Sequence, residues 1–117
     1  MVRNQPDLVR RFVDASISGW YKYLYADRSA ANAMMRKENP ELTDDEIERS
    51  VALMKQQGIV DSGEALERGI GAMNEARVRD FFDKMVKAGL YKAGEVDLKK
   101  VATYEFVNRS VGKNLRK

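Results

Sequence analysis

Apolar residues return at three- and four-residue steps along most of this chain, and the first such stripe is the longest. Leu8, Val9, Phe12, Val13, Ser16, Trp20, Tyr23 and Leu24 share one broad face over Pro6 to Tyr25, which predicts an amphipathic helix. Pro6 suits the first helical position, where its missing N–H has no intrahelical partner to lose. Asp7 follows in the first turn, where its charge complements the helix dipole. Gly19 in the interior costs about 1 kcal/mol against Ala, which points to a close helix contact there.

Further along, Asp27 caps a second helix over Arg28 to Lys37, which stops near Asn39 because the residue before Pro40 is pushed out of the helical region. Thr43-Asp44-Asp45-Glu46 reads as a capping box for a third helix with Ile47, Val51 and Met54 as its stripe. Gly58 fits the left-handed position after the last turn, with Ile59 folding back on that turn. From Gly58 to Met73 the helical period is lost. Glycines punctuate a loop-rich excursion with one short extended piece at Ile59-Val60. Asn74 then caps a helix carrying Val78, Phe81, Phe82, Met85 and Val86, closed by Gly89-Leu90. Asp97 caps a last short helix to about Val107, and residues 111–117 read as a flexible basic tail. The expected fold class is mainly α: four to five helices with one glycine-rich break, in a single segment spanning residues 1–117.

Composition narrows the chemistry. With 44% apolar and 33% charged residues the chain is unlike a disordered one. It has no cysteine and no histidine, so no Ser-His-Asp triad, Cys-His pair or ordinary zinc site can be built from it. The reading is therefore of a chain that is not an enzyme, with no catalytic residue, no metal ligand and no cofactor. The net charge of +3 is too small to argue for nucleic acid. Lys99, Lys100, Arg109, Lys113, Arg116 and Lys117 stand against Glu105 alone, but no aromatic platform accompanies them, and a solvated terminus explains them. Asp44, Asp45 and Glu46 are explained by helix capping, and Asp80 and Asp83 by ion pairs with the bases around them. Trp20 and Tyr23 fall on the apolar face and are expected in the core; Tyr21 and Tyr25 share another face as surface residues or interface anchors. The candidate ligand-binding residues are Asp61, Ser62, Gly63, Gly69 and Gly71: glycine lets backbone approach a ligand closely, while Asp61 and Ser62 offer polar contacts. The alternative is that these glycines serve as helix stops and turns.

Five stretches in order carry a family resemblance: RFVDASISGWYKYLYAD (Arg11 to Asp27), ENPELTDDEI (Glu38 to Ile47), MKQQGIVDSG (Met54 to Gly63), GIGAMNEARVRDFFDKMVKAGLY (Gly69 to Tyr91) and EFVNRSVG (Glu105 to Gly112). Together they resemble the C-terminal end of ABC-transporter substrate-binding proteins of the nitrate/sulfonate/taurine and thiamine-pyrimidine-precursor class. The resemblance implies the helical end of a two-lobed α/β periplasmic binding protein, one segment of a larger receptor. It also implies a small anionic, sulfonate or pyrimidine-precursor ligand, an ABC transporter permease as partner, and a periplasmic or membrane-anchored extracytoplasmic location. The start, MVRNQPDLVRRFVD, has no apolar export-signal core, so such a signal would precede this segment. Two other readings accompany it: a segment of a thiamine-pyrimidine biosynthetic enzyme of the same family, and a standalone helical interaction module. Apolar stripes with no sheet to cover them also point to a homo-oligomer of the separate segment.

Overall fold

A single 20-residue helix, α1 (Pro6–Tyr25), organises the chain. Its length of about 30 Å gives the remaining elements a common surface. The computed structural model describes residues 1–116. The helices that follow are α2 (Ser29–Glu38), α3 (Asp44–Gln56), the single turn α4 (Ala65–Arg68), α5 (Glu75–Lys87) and the single turn α6 (Leu98–Val101). A 3-10 turn at Lys113–Leu115 closes the described chain. The protein is thus mainly α, and no strand occurs among the described residues.

Local chemistry explains most boundaries. Pro6 opens α1 with Asp7 in its first turn. At α3 both halves of the capping box form: the Glu46 N–H donates to Thr43 Oγ1 and the Thr43 N–H to Glu46 Oε2. Asn74 Oδ1 takes the Ala76 N–H at the start of α5, and Asp97 Oδ1 takes the Lys99 N–H at α6. Helices α3 and α5 end alike. Gly58 and Gly89 are left-handed, at φ 59° and 76°, and the next residue's N–H reaches back to the Met54 and Met85 carbonyls. Ile59 makes that backbone bond, yet its side chain stays 68% exposed. The last helix is shorter than its sequence suggests. It stops at Val101, and Tyr104 to Asn108 form turns that carry the buried Phe106 inward.

The core is small. Ile17, Tyr21 and Leu24 of α1, Val51 of α3 and Ile70 of the glycine-rich stretch form its buried cluster, with Val13, Met54, Val60, Val111 and Leu115 packed around it. Tyr21 has no exposed surface at all. Here the structure corrects the expectation from periodicity. The face at 17, 21 and 24 is the buried one, whereas Trp20 remains 42% exposed. Helix α1 is apolar on two adjacent faces, and the C-terminal stretch selects one of them. Residues 111–116, expected as part of a flexible basic tail, lie on that face. Val111 and Leu115 pack on the core, and Gly112 sits so close that a Cβ there would come within 3.0 Å of Tyr21 Cδ2. Lys117 lies outside the described residues.

The α1–α2–α3 corner is held by charge as well. Arg28 grips the Glu48 carboxylate through Nε, at 2.8 Å, and through Nη2, while its Nη1 donates to the Tyr23 carbonyl at 3.3 Å. That grip lowers the Glu48 pKa.

Removing only the Tyr21 hydroxyl isolates one part of this packing. The Tyr21 hydroxyl accepts the buried Ile70 N–H at 3.1 Å, so Tyr21→Phe leaves that N–H without an acceptor and is expected to cost about 1–3 kcal/mol. Thr43→Ala, at an exposed cap, is expected to cost about 1 kcal/mol. Urea unfolding followed by circular dichroism measures both, as a lowered midpoint at unchanged slope.

Candidate functional site

The glycine-rich stretch between α3 and α5 is drawn against α1 and the C-terminal residues by several separate contacts. The Ile70 N–H donates to Tyr21 Oη at 3.1 Å, a bond wholly inside the protein. The Ser110 N–H donates to the Arg68 carbonyl at 2.9 Å, and Asn108 exchanges two hydrogen bonds with the Met73 backbone, at 2.8 and 3.0 Å. Lys113 Nζ reaches the Glu67 carbonyl at 2.9 Å.

Each candidate residue in this stretch has its own neighbour. Asp61 accepts from the Tyr25 hydroxyl at 2.6 Å and from Arg116 Nε at 2.7 Å, and its side chain is only 3% exposed. Its Oδ1 is buried without a donor among the described residues. Ser62 Oγ donates to the Gly58 carbonyl at 2.6 Å, a local turn contact. Gly63 is left-handed, with open space where a side chain would stand. Gly69, at φ 95°, lies against Ser110, where a Cβ would come within 3.1 Å of the Ser110 Cα. Gly71, at φ 80°, lies on Ile17. Asp61 therefore meets Tyr25 and Arg116, while Gly69 and Gly71 bring backbone close to other parts of this chain.

Around Asp61 the charges are coupled. Lys55 Nζ stands 4.8 Å from the centre of the Tyr25 ring, and the Arg116 guanidinium 5.9 Å from it. Partial burial, followed by the hydrogen bond to Asp61, raises the Tyr25 pKa above its ordinary 10.0. The Asp61 hydrogen bond likewise raises that of Arg116. This is an ion-paired clasp joining α1, the glycine-rich stretch and the C-terminal turn.

An apolar hollow lies elsewhere. A groove of 630 Å³ runs between α1, α2 and α3, walled by Ser16, Gly19, Trp20 and Tyr23 on one side and by Ile47, Ser50 and Met54 on another. Ala31, Met35 and Leu42 complete it, and among the described residues no charged side chain lines it. Gly19 has nothing within 4 Å of where its Cβ would stand, so this glycine opens the groove instead of seating a helix. Trp20 and Tyr23 meet edge to face, with ring centres 6.4 Å apart at 89°. Both serine hydroxyls donate to carbonyls one turn back, Phe12 at 2.8 Å and Glu46 at 2.7 Å, which leaves the walls essentially apolar. A second, smaller hollow of 340 Å³ lies along α5 beside Met73, Arg77, Val78 and Phe81. None of the five candidate residues lines either hollow.

The groove eluded sequence reasoning because Trp20 and Tyr23 carry the same periodic signal whether a helix face is covered or left open. Among the described residues no three acidic side chains gather to hold a metal ion, and no helix is long and apolar enough to cross a membrane. Comparison with protein families, with characterised proteins and with solved structures finds no match.

The clasp has a direct readout. Tyr25 is expected to ionise above its ordinary value, so its native-state contribution is complete below about pH 10 and is lost as pH rises through the raised value. In Asp61→Asn the phenolate absorbance of one of the five tyrosines should titrate at lower pH, and Tyr25→Phe should remove that same component. An unchanged titration in Asp61→Asn would mean that the clasp does not form in solution.

Proposed function

We propose that this chain is the C-terminal helical part of the solute-binding component of an ABC importer, and that it supplies lobe scaffold instead of a complete ligand site. The observation that carries the reading is a mismatch between mass and surface. The chain exposes 8761 Å² at 13.3 kDa. A self-sufficient globular chain of that mass exposes about 6,450 Å². The radius of gyration agrees: it is 17.6 Å, against about 13 Å for a compact chain of this length.

Helices α3 and α5 are well capped, yet α5 has no buried residue and Phe12, Trp20 and Phe81 are exposed. Such faces need an apolar surface to rest on. In a two-lobed α/β receptor the sheets and helices of the lobes provide one. The resemblance along Arg11 to Gly112 favours the nitrate/sulfonate/taurine and thiamine-pyrimidine-precursor class.

In this reading the complete receptor takes a small anionic, sulfonate or pyrimidine-precursor ligand between its lobes by hinge closure, with no bond made or broken. It works in the periplasm or anchored outside the membrane, and its partner is the importer's permease. The groups that recognise the ligand lie mainly on the lobes. The segment described here braces one lobe, with the clasped Asp61 stretch holding the brace together.

The size and compartment of the native product test the proposal. An antibody to this segment, used on fractionated source cells, is expected to detect a protein several times larger than 13.3 kDa in the periplasmic or membrane fraction. A product of about this chain's own mass in the cytoplasm would overturn the reading in favour of a helical interaction module. A larger cytoplasmic product without an export signal would overturn it in favour of the biosynthetic branch of the same class.

A further inference from the structure

The chain holds an open apolar groove and, separately, an amphipathic helix that is only partly covered: Val78, Phe82 and Met85 are half-buried, with Phe82 beside Tyr91, while Phe81 faces solvent. On α5, Val78, Phe81, Phe82 and Met85 stand at i, i+3, i+4 and i+7, the spacing by which a helix anchors itself in an apolar groove. Phe81 is 62% exposed, and no residue of the helix is buried. The α1–α2–α3 groove presents the complementary surface, with Trp20 on its wall and no charged side chain in its lining.

We infer that the 117-residue chain on its own pairs with a second copy, α5 of each copy lying in the α1–α2–α3 groove of the other. Two identical helix-in-groove contacts related by a two-fold axis close on themselves and leave no face open for further growth. Area selects a second copy over a small ligand. Each chain exposes about 2,300 Å² more than a compact chain of its mass, and obligate dimers bury about 2,000–5,000 Å² in total, or about half of that per chain. A small molecule filling 630 Å³ would leave α5 uncovered. The inference stands apart from the receptor reading: in a longer receptor the lobes would cover these same faces, and the pairing belongs to the chain released from them.

Light scattering behind size-exclusion chromatography tests it on the full chain. The wild type is expected to show twice 13.3 kDa, falling to the monomer mass on dilution. High salt should not weaken the pair, because the groove lining carries no charge. Trp20→Arg disables the groove and Phe81→Asp disables the helix. Each substitutes a side chain that is already partly exposed, so circular dichroism should retain its helical signal. Each variant alone is expected to pair at least about thirtyfold more weakly, as the loss of a buried aromatic anchor does. Mixed together they should pair more tightly than either variant alone but more weakly than the wild type, since the first still offers an intact α5 and the second an intact groove for one of the two contacts. A wild type that stays at 13.3 kDa at every concentration overturns the inference. Undiminished pairing in both variants, or a mixture that pairs no more tightly than either variant alone, overturns the contact it assigns.

Discussion

One buried phenol governs how the parts of this chain meet. The Tyr21 ring is fully enclosed, so its hydroxyl must find a partner inside the protein, and the Ile70 N–H is the partner it finds. That bond fixes the glycine-rich stretch against α1. It also determines what passes over the ring on the other side, where only a glycine fits, and Gly112 is there at φ 68°. Three segments far apart in sequence are thus held around one side chain. The Asp61 clasp with Tyr25 and Arg116 repeats the same joining one turn further along α1.

Local order and tertiary order are unequal in this protein. Helix ends are specified residue by residue, by Thr43 with Glu46, by Asn74, by Asp97 and by the left-handed glycines after α3 and α5. Packing between helices is sparse by comparison, and among the described residues only eight apolar ones are buried. A helix with good caps and an uncovered apolar face is poised to adopt whichever partner surface it meets, because tertiary packing supplies most helical stability. The scaffold role and the self-pairing are two ways of satisfying that same requirement.

Much of the helical layout could be read from the residues, because capping and the proline rule act over three or four positions. Pro6, the Thr43–Glu46 box, Asn74 and Gly58 all do in the structure what their chemistry suggests. The choice of buried face on α1 could not be read in this way. The stripe through Trp20 and the one through Ile17 and Tyr21 are both apolar, and only long-range packing by Val51, Ile70, Val111 and Leu115 decides between them. The same long-range event turned Asp61 from a loop residue into the anchor of a clasp. Arg116, its partner, lies 55 positions away, and no local pattern links the two. The glycines at 69 and 71 carried a true signal of close backbone approach, but what they approach is Ser110 and Ile17.

The seating of the last residues on the first long helix also sets an order in time. A ribosome adds about 5–20 residues each second, so α1 waits roughly five to twenty seconds before Val111 and Gly112 exist to cover it. Through that interval Val51 and Ile70 can already reach Ile17, Tyr21 and Leu24, but the cover that Val111 and Leu115 give that face is missing. Bringing Val111 and Gly112 back to α1 then closes a long loop, a step whose entropy cost grows only slowly with length. Nascent α1 is therefore fully covered only once residues 111–115 have arrived.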